Sequence, residues 1–314
     1  MTAPEHRYAY LGPAGTFTEA ALQACLTDLR LADSAELVPH LSVAAALESV
    51  RTSNTTAAMV PLENSVEGSV SATLDELAFG APLVIRRETH LPVAFALLAR
   101  PGTTLTDVRS VASHPHAQPQ CRHWLSSHLP DAEWVAAASN ADAARLVGEG
   151  RFDAALAGSF AAQVYGLQVL ADHVHDVSGA ETRFVLVSRP ISPEPATGSD
   201  KTSLVLVIGK DHPGALLEIL TEFAVRGINL TRIESRPTGG GIGDYFFSID
   251  VEGHIDEARV GEALIGLHRI CADVRFLGSY PRADGLRPTL RRGVSDTEYS
   301  QAQAWLARIR DGRS

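Results

Sequence analysis

The sequence predicts an α/β protein in two parts: a long N-terminal region of alternating strands and helices, then a shorter ferredoxin-like βαββαβ sandwich. Three observations predict it. Short apolar runs alternate with helical patterns from the N-terminus to about Ser188, which implies α/β architecture with largely parallel sheets. Arg189 to Asp200 carries three prolines, a glycine and no apolar periodicity, the composition of a linker. From Lys201 to Tyr280 the rhythm becomes strand, helix, strand, strand, helix, strand.

Taken in order, the apolar runs Tyr8–Leu11, Leu37–Pro39, Ala57–Val60, Val93–Leu98, Val111–Ser113, Trp134–Ala137, Ala154–Ala157 and Phe184–Val187 read as strands. Helical patterns lie between several of them. Thr18–Leu29 places Ala21, Leu22, Cys25, Leu26 and Leu29 on one face, and Ser42–Val50 and Asn140–Val147 behave alike. In the second part the strands are Ser203–Ile208, Leu230–Glu234, Tyr245–Val251 and Val274–Leu277, with helices over Gly214–Arg226 and Ile255–Leu267. Leu216, Ile219, Leu220, Phe223 and Ala224 give the first of these helices one buried face. Gly239, Gly240, Gly241 and Gly243 make the hairpin between the middle strands. The basic tail from Arg282 ends in a helix from Asp296 to about Arg310, with Ser295 and Glu298 at capping-box spacing.

Composition narrows the function. At 314 residues the chain fits two or three domains. A net charge of -10 without a basic stripe argues against nucleic acid as partner, though an anionic substrate needs only a local cationic site. No apolar run is long enough to span a bilayer, and the polar start Met1–Tyr10 lacks a secretion signal. The three scattered cysteines, Cys25, Cys121 and Cys271, point to a reducing cytoplasm.

Four polar clusters stand out in the N-terminal region. Leu11–Glu19 (LGPAGTFTE) closes a strand and opens a helix, where glycines allow close backbone approach and N–H groups favour an anion; it fits a plain βα turn with a Thr16 or Thr18 cap equally well. Val60–Val70 (VPLENSVEGSV) delivers Glu63, Asn64, Ser65 and Glu67 at the end of a strand, as a site would; solvated turn carboxylates and a Ser65 or Ser69 cap are the alternative. Ser113–Cys121 (SHPHAQPQC) invites a metal reading with His114, His116 and His123, but the spacing matches no standard zinc pattern, and Ser113 as a helix cap is the plain alternative. Thr182-Arg183-Phe184 enters an apolar strand, where an Arg is usually a solvated edge residue.

In this order the clusters resemble the prephenate dehydratase family, and the second part resembles an ACT regulatory domain. The matching residues are Gly12 to Phe17, Val60 to Gly68, Ser113-His114-Pro115 with Gln120-Cys121, Thr182-Arg183-Phe184, and, in the ACT-like part, Gly214-Ala215-Leu216-Leu217 and Glu234-Ser235-Arg236-Pro237. The resemblance covers about residues 6 to 281. Two positions depart from it: Ala180 stands where the family commonly has Asn, and Ser139-Asn140 where it has Ser-Thr.

The resemblance implies a two-lobed catalytic domain of the type II periplasmic-binding kind over residues 6–188, with lobe one at 6–80 and 177–188 and lobe two at 81–176. The linker 189–200, an ACT domain over 201–281 and a tail 282–314 would follow. It implies conversion of prephenate to phenylpyruvate, carbon dioxide and water in phenylalanine biosynthesis, without cofactor or metal. Thr182, Arg183, Phe184, Asn64, Ser113 and Gln120 are the implied catalytic residues, and Thr16, Ser65, His114 and Arg183 the substrate contacts. Thr182 would assist the departing hydroxyl and Arg183 would clamp a carboxylate. Gly214, Ala215, Leu216, Leu217, Asn229, Leu230, Glu234, Ser235, Arg236 and Pro237 are the implied phenylalanine site, between protomers of at least a dimer. Two other readings remain open: arogenate dehydratase, and a non-enzymatic amino-acid sensor.

Overall fold

The computed structural model describes residues 6–176, 179–209, 212–238 and 245–312. The chain divides into two compact units: Met1–Glu76 with Thr89–Arg189, and Leu77–Glu88 with Pro190–Ser314. The expected chain return near Val177 and the glycine hairpin from Gly239 to Gly243 lie outside the described residues.

The elements up to the linker are β1 (Arg7–Leu11), α1 (Phe17–Asp28), β2 (Glu36–His40), α2 (Val43–Arg51), β3 (Ala57–Asn64), β4 (Gly68–Ser69), α3 (Ser71–Phe79) and β5 (Val84–Pro92). Then follow β6 (Ala96–Ala99), β7 (Ser110–Ser113), α4 (Ala117–Gln120), α5 (Arg122–His128), β8 (Glu133–Ala136), α6 (Asn140–Gly148), β9 (Ala154–Ala157), α7 (Phe160–Tyr165), β10 (Gln168–Ala171) and β11 (Glu181–Ser188). They form two sheets, one in the order β2-β1-β3-β11-β5 with β4 on β3, the other in the order β10-β6-β9-β7-β8.

The sheets are mixed, which corrects the largely parallel expectation. β1 pairs parallel with β2 and β3, but β11 runs antiparallel to β3 because the chain re-enters this sheet from the other lobe. In the second sheet β7 is parallel to β8 and β9, while β6 and β10 are antiparallel. The crossing between sheets also moves. The expected strand Val93–Leu98 is shortened at its start, since β6 begins at Ala96, and an unexpected strand, β5, ends just before it at Pro92. The chain therefore leaves the first sheet after Pro92, not near Ala81. Each lobe has its own apolar interior, Tyr8, Tyr10, Leu22, Met59 and Phe184 in the first, Phe95, Leu97, Leu156 and Val174 on one side of the second sheet.

The second unit contains β12 (Asp200–Val207), α8 (Ala215–Ala224), β13 (Leu230–Pro237), β14 (Tyr245–Glu252), α9 (Ala258–Ile270), β15 (Asp273–Pro281) and α10 (Asp296–Arg310). The order β13-β14-β12-β15 is that of a ferredoxin-like sandwich. Leu204, Leu206, Phe223, Ile249, Val260 and Leu267 fill the layer between sheet and helices. Residues 77–88 take the other face: Phe79 packs edge-on against Phe246, and Arg275 donates to the carbonyls of Leu77 and Gly80. The linker is anchored here too, since Glu194 pairs with Arg86 at 2.8 Å and with Arg87. α10 begins with the expected capping box, Ser295 and Glu298 each bonding the other's backbone N–H.

Candidate active site

The pairing of β3 with β11 brings the distant clusters together. Thr182 lies opposite Asn64 and Arg183 opposite Glu63, although more than a hundred residues separate the two strands. Asn64 Nδ2 donates to Thr182 Oγ1 at 2.8 Å. The amide cannot be turned the other way, because Asn64 Oδ1 accepts from the backbone N–H of Val66 (2.8 Å) and of Glu67 (3.0 Å). The turn after β3 therefore aims the Asn64 N–H at Thr182. Since Thr182 Oγ1 accepts, its own proton remains to be donated.

Thr182 opens into a cavity of about 180 Å³ whose polar lining is Asn64, Glu67, His114, His116, Gln120, Asn140 and Thr182, with Phe17, Val93, Phe95 and Ala117 as its apolar part. A second cavity of about 300 Å³ shares Phe17, His114 and Asn140 with the first and extends to Gly12, Gly15, Thr16, Leu41 and Ser139. Both lie within the first unit, between its two lobes. Phe17 from α1 packs edge-on against Phe95 and Phe160 of the other lobe. Tyr165 OH donates to the Ala14 carbonyl at 2.5 Å, and a Cβ on Gly15 would sit 3.0 Å from the Tyr165 ring. With φ at +78°, Gly15 is the residue type this approach requires.

His114 sits between the cavities. Its backbone N–H donates to Asn140 Oδ1 at 2.9 Å, and its Nδ1 accepts from the backbone N–H of His116 at 3.3 Å. The neutral ring thus carries its proton on Nε2. Burial, then the neighbouring His116, holds its pKa below the usual histidine value, against an opposing pull from Glu67. His114 is accordingly neutral at pH 7. Burial, with Asp176 second, pushes the Cys121 thiol up to about 12, which makes it inert as a nucleophile.

Of the residues expected from sequence, Asn64, His114, Gln120 and Thr182 line the first cavity, and Thr16 and His114 the second. Thr16 also caps α1, accepting from Glu19 N and donating to Leu11 O. Four expected residues line neither cavity. Arg183 is buried, with Glu63 at 3.8 Å; the two-residue period of a strand turns it away from the face that Thr182 occupies. Phe184 belongs to the first-lobe core. Ser113 is fully buried, donating to His114 O and accepting from Trp134 Nε1. Ser65 is occupied by Glu181, its N–H donating to Glu181 O and its Oγ accepting from Glu181 N.

His116, Phe17, Val93, Phe95, Ala117 and Asn140 line the first cavity without being expected there, and Glu67, open in the sequence between a site carboxylate and a solvated turn residue, lines it too. His116 and Phe17 lie inside the singled-out clusters and were within reach. Val93 and Phe95 look like any buried strand. Among the described residues, no group of three or more His, Cys, Asp or Glu side chains is placed to hold a metal.

The expected phenylalanine-site residues occupy two places in the second unit. Gly214, at φ +96°, caps α8, followed by buried Ala215 and the exposed Leu216 and Leu217. Asn229 is exposed and its carbonyl accepts from Glu252 N. Leu230, Glu234, Ser235, Arg236 and Pro237 lie on β13, an edge strand of its sheet, with Ser235 and Pro237 on its exposed side.

A two-lobed α/β unit with a hydroxyl–amide pair in its interlobe cavity, followed by a ferredoxin-like module, defines a small-molecule enzyme with an appended regulatory fold. Family models narrow this: the model for prephenate dehydratase matches residues 8–192, and that for the ACT domain matches 203–269. A prephenate dehydratase of Mycobacteroides abscessus is 51% identical over 310 residues, 98% of this chain and 99% of the relative. The chain belongs to the prephenate dehydratase family. Among solved structures, the prephenate dehydratase of Arthrobacter aurescens in complex with L-Phe is similar at a TM-score of 0.90 and 48% identity, covering 97% of this chain and 99% of that one. GqqA, described as a novel type of quorum-quenching acylase, is similar at 0.78 and 30% identity, covering 88% and 98%. One backbone thus underlies differently named activities, so the chemistry must be argued from the site.

Proposed function

We propose that the first unit converts prephenate to phenylpyruvate, carbon dioxide and water. The observation that carries this is the fixed Asn64–Thr182 pair, which leaves a hydroxyl proton to be donated into the cavity. In the reaction the bond from the ring to its carboxylate breaks and its electron pair enters the ring. The carbon–oxygen bond to the ring hydroxyl breaks with its pair leaving on oxygen, and a proton makes that oxygen water. The aromatic ring formed drives the reaction downhill, and no electrons enter or leave, so no cofactor is required. Thr182 donates to the departing oxygen, and the Asn64 N–H that it accepts strengthens that donation. Thr182 alone is too weak an acid to supply the whole proton, and the neutral His114, with its proton on Nε2, is a second donor lining the same cavity. Arg183 offers its positive charge from the far side of β11; across a low-dielectric wall it still lowers the energy of a dianion.

On this reading the catalytic domain spans residues 6–188 and the ACT domain 201–281, joined by the linker 189–200, and the protein works in the cytoplasm. None of its three cysteines forms a disulfide among the described residues. The test is the absorbance of phenylpyruvate formed from prephenate, with arogenate run beside it. Turnover of arogenate alone would assign the transaminated substrate instead. Loss of turnover in Asn64→Asp, which presents an oxygen to Thr182 and reverses that hydrogen bond, checks the mechanism.

The second unit is the sensor in this reading. L-Phenylalanine binds between two ACT domains at the Gly214–Leu217 turn and at Glu234–Pro237, and inhibits. The edge position of β13 favours such pairing, since an edge strand offers backbone groups to a second copy. Self-association and phenylalanine inhibition should therefore both respond to Gly214→Val. A chain cut after Ser188 is a poor test, because it keeps residues 77–88 but removes the unit they belong to, exposing Leu77, Leu83 and Ile85. A full chain that binds phenylalanine but never turns over prephenate would establish the non-enzymatic sensor.

A further inference from the structure

The turn that fixes Asn64 also places Glu67, and this carboxylate reaches across the first cavity. Its Oε2 meets His116 Nδ1 at 2.6 Å, and its Oε1 accepts from Gln120 Nε2 at 3.3 Å. Glu67 follows β3 in the first lobe, whereas His116 and Gln120 belong to the second. Gln120 Nε2 donates also to His116 O at 3.0 Å. Both N–H bonds of the Gln120 amide are thus used, and both partners are oxygen acceptors, which fixes the orientation of the amide. What Gln120 has left for the cavity is its carbonyl oxygen.

We infer that Glu67 is a positioning residue for the elimination: it holds the Gln120 amide so that the carbonyl, an acceptor, is presented to the substrate. A ring hydroxyl that accepts from Thr182 still has its own O–H to place, and an amide carbonyl takes it. Donor and acceptor together would fix the rotation of the leaving group. Without Glu67 the Gln120 amide keeps only its bond to His116 O, turns over more readily to offer N–H instead, and guides the hydroxyl less well. Glu67 and His116 are 36% and 65% exposed in their side chains, so their contact adds little to stability. A loss of rate on removing Glu67 therefore reports positioning, not unfolding.

This inference rests on the prephenate dehydratase reading. The test is a double-mutant cycle on the full chain with prephenate, reading kcat and KM separately and checking the melting temperature of each variant. Glu67→Ala is expected to lower kcat about 10-fold or more, with KM moved less than about 3-fold, since misplacement of a guiding group acts on the reacting geometry. Glu67→Gln keeps a carbonyl acceptor for the Gln120 N–H and should recover most of that loss. In a Gln120→Ala background, adding Glu67→Ala should cost less than about 2-fold more, because the group it positions is gone. Independent, multiplying effects would overturn the inference, as would wild-type kcat in Glu67→Ala. Active wild type with multiplying effects refutes Glu67 alone, while an inactive wild type refutes the reading and the inference with it.

Discussion

The molecule contains two polar clusters built to opposite ends. In the first unit, Asn64, Thr182, Glu67 and Gln120 form a chain of hydrogen bonds that stops at a cavity wall, with a hydroxyl proton and an amide carbonyl left over. In the second unit, Lys201 Nζ meets both oxygens of Glu88 at 3.0 and 2.8 Å, and Ala283 N donates to the same carboxylate at 3.0 Å. Across the sheet from Ser203, Asp250, with 0% exposure, takes Ser203 Oγ and Arg232 Nε. There both carboxylates are met by protein donors, although Arg232 Nη1 is buried without a hydrogen-bond partner among the described residues. A polar cluster satisfied from within holds a fold together, and one that ends in unspent capacity at a cavity wall is equipped for chemistry.

The sharpest break between the two is Thr182→Ala. Removing the donor to a leaving group costs about 100- to 10,000-fold in kcat. The fold should stand, because Thr182 supplies a single side-chain hydrogen bond at the cavity wall. Turnover followed by phenylpyruvate absorbance, with circular dichroism as the control, checks it; wild-type turnover would remove Thr182 from the mechanism. Lys201→Met is the mirror experiment. It strips the cation from a carboxylate whose side chain is 1% exposed, which costs about 3–5 kcal/mol of stability when a buried pair loses one partner. Calorimetry should show the loss, and Lys201→Met with Glu88→Leu should restore much of it, since an apolar pair leaves no uncompensated charge. Per-molecule turnover well below the melting transition should stay near wild type.

The same contrast explains what could be read from the sequence. The cavity wall was legible because its residues arrive in compact runs: Asn64 and Glu67 in one, His114 and Gln120 in another, Thr182 in a third. The stabilising cluster was not, because Glu88 and Lys201 are 113 positions apart and neither has a local signature. β5 went unread for a related reason. Its Ile-Arg-Arg-Glu-Thr-His stretch lacks apolar alternation, since Glu88 buries against Lys201 and the partly exposed Arg86 and Arg87 pair with Glu194. Missing β5 moved the expected lobe crossing by about a dozen residues. The role of Glu67 depends on where the second lobe places His116, which no local pattern carries. The direction of Arg183 was readable in principle, because adjacent strand residues face opposite ways.

Arg183 therefore tests the boundary between the clusters. It neighbours Thr182 in sequence but resembles Lys201 in setting, with its side chain 7% exposed and Glu63 at 3.8 Å. Glu63 is partly solvated, so the loss on Arg183→Ala should be smaller than for Lys201, about 1–3 kcal/mol of stability, with only a modest rise in KM from the lost field on a dianion. A large rise in KM at an unchanged melting temperature would instead make Arg183 a direct carboxylate clamp and return it to the cavity cluster.

The smallest effect separates the clusters by pH. His114 has its pKa lowered below 6.5, first by burial and then by His116, with Glu67 opposing. In the unfolded chain the ring takes a proton as pH falls through about 6.5, while in the folded chain it resists until the pH is lower. In that window the unfolded state binds more protons, so stability rises with pH and is lost on acidification. Above the window His114 contributes no slope. Between pH 7.5 and 5.5 the wild-type melting temperature should thus fall more steeply than that of His114→Gln, whose side chain has no proton to gain. Equal slopes would mean that His114 already titrates as in the unfolded chain. It would then be substantially protonated at pH 6, and the first cavity would present a cation where the proposed chemistry uses a neutral Nε2–H donor.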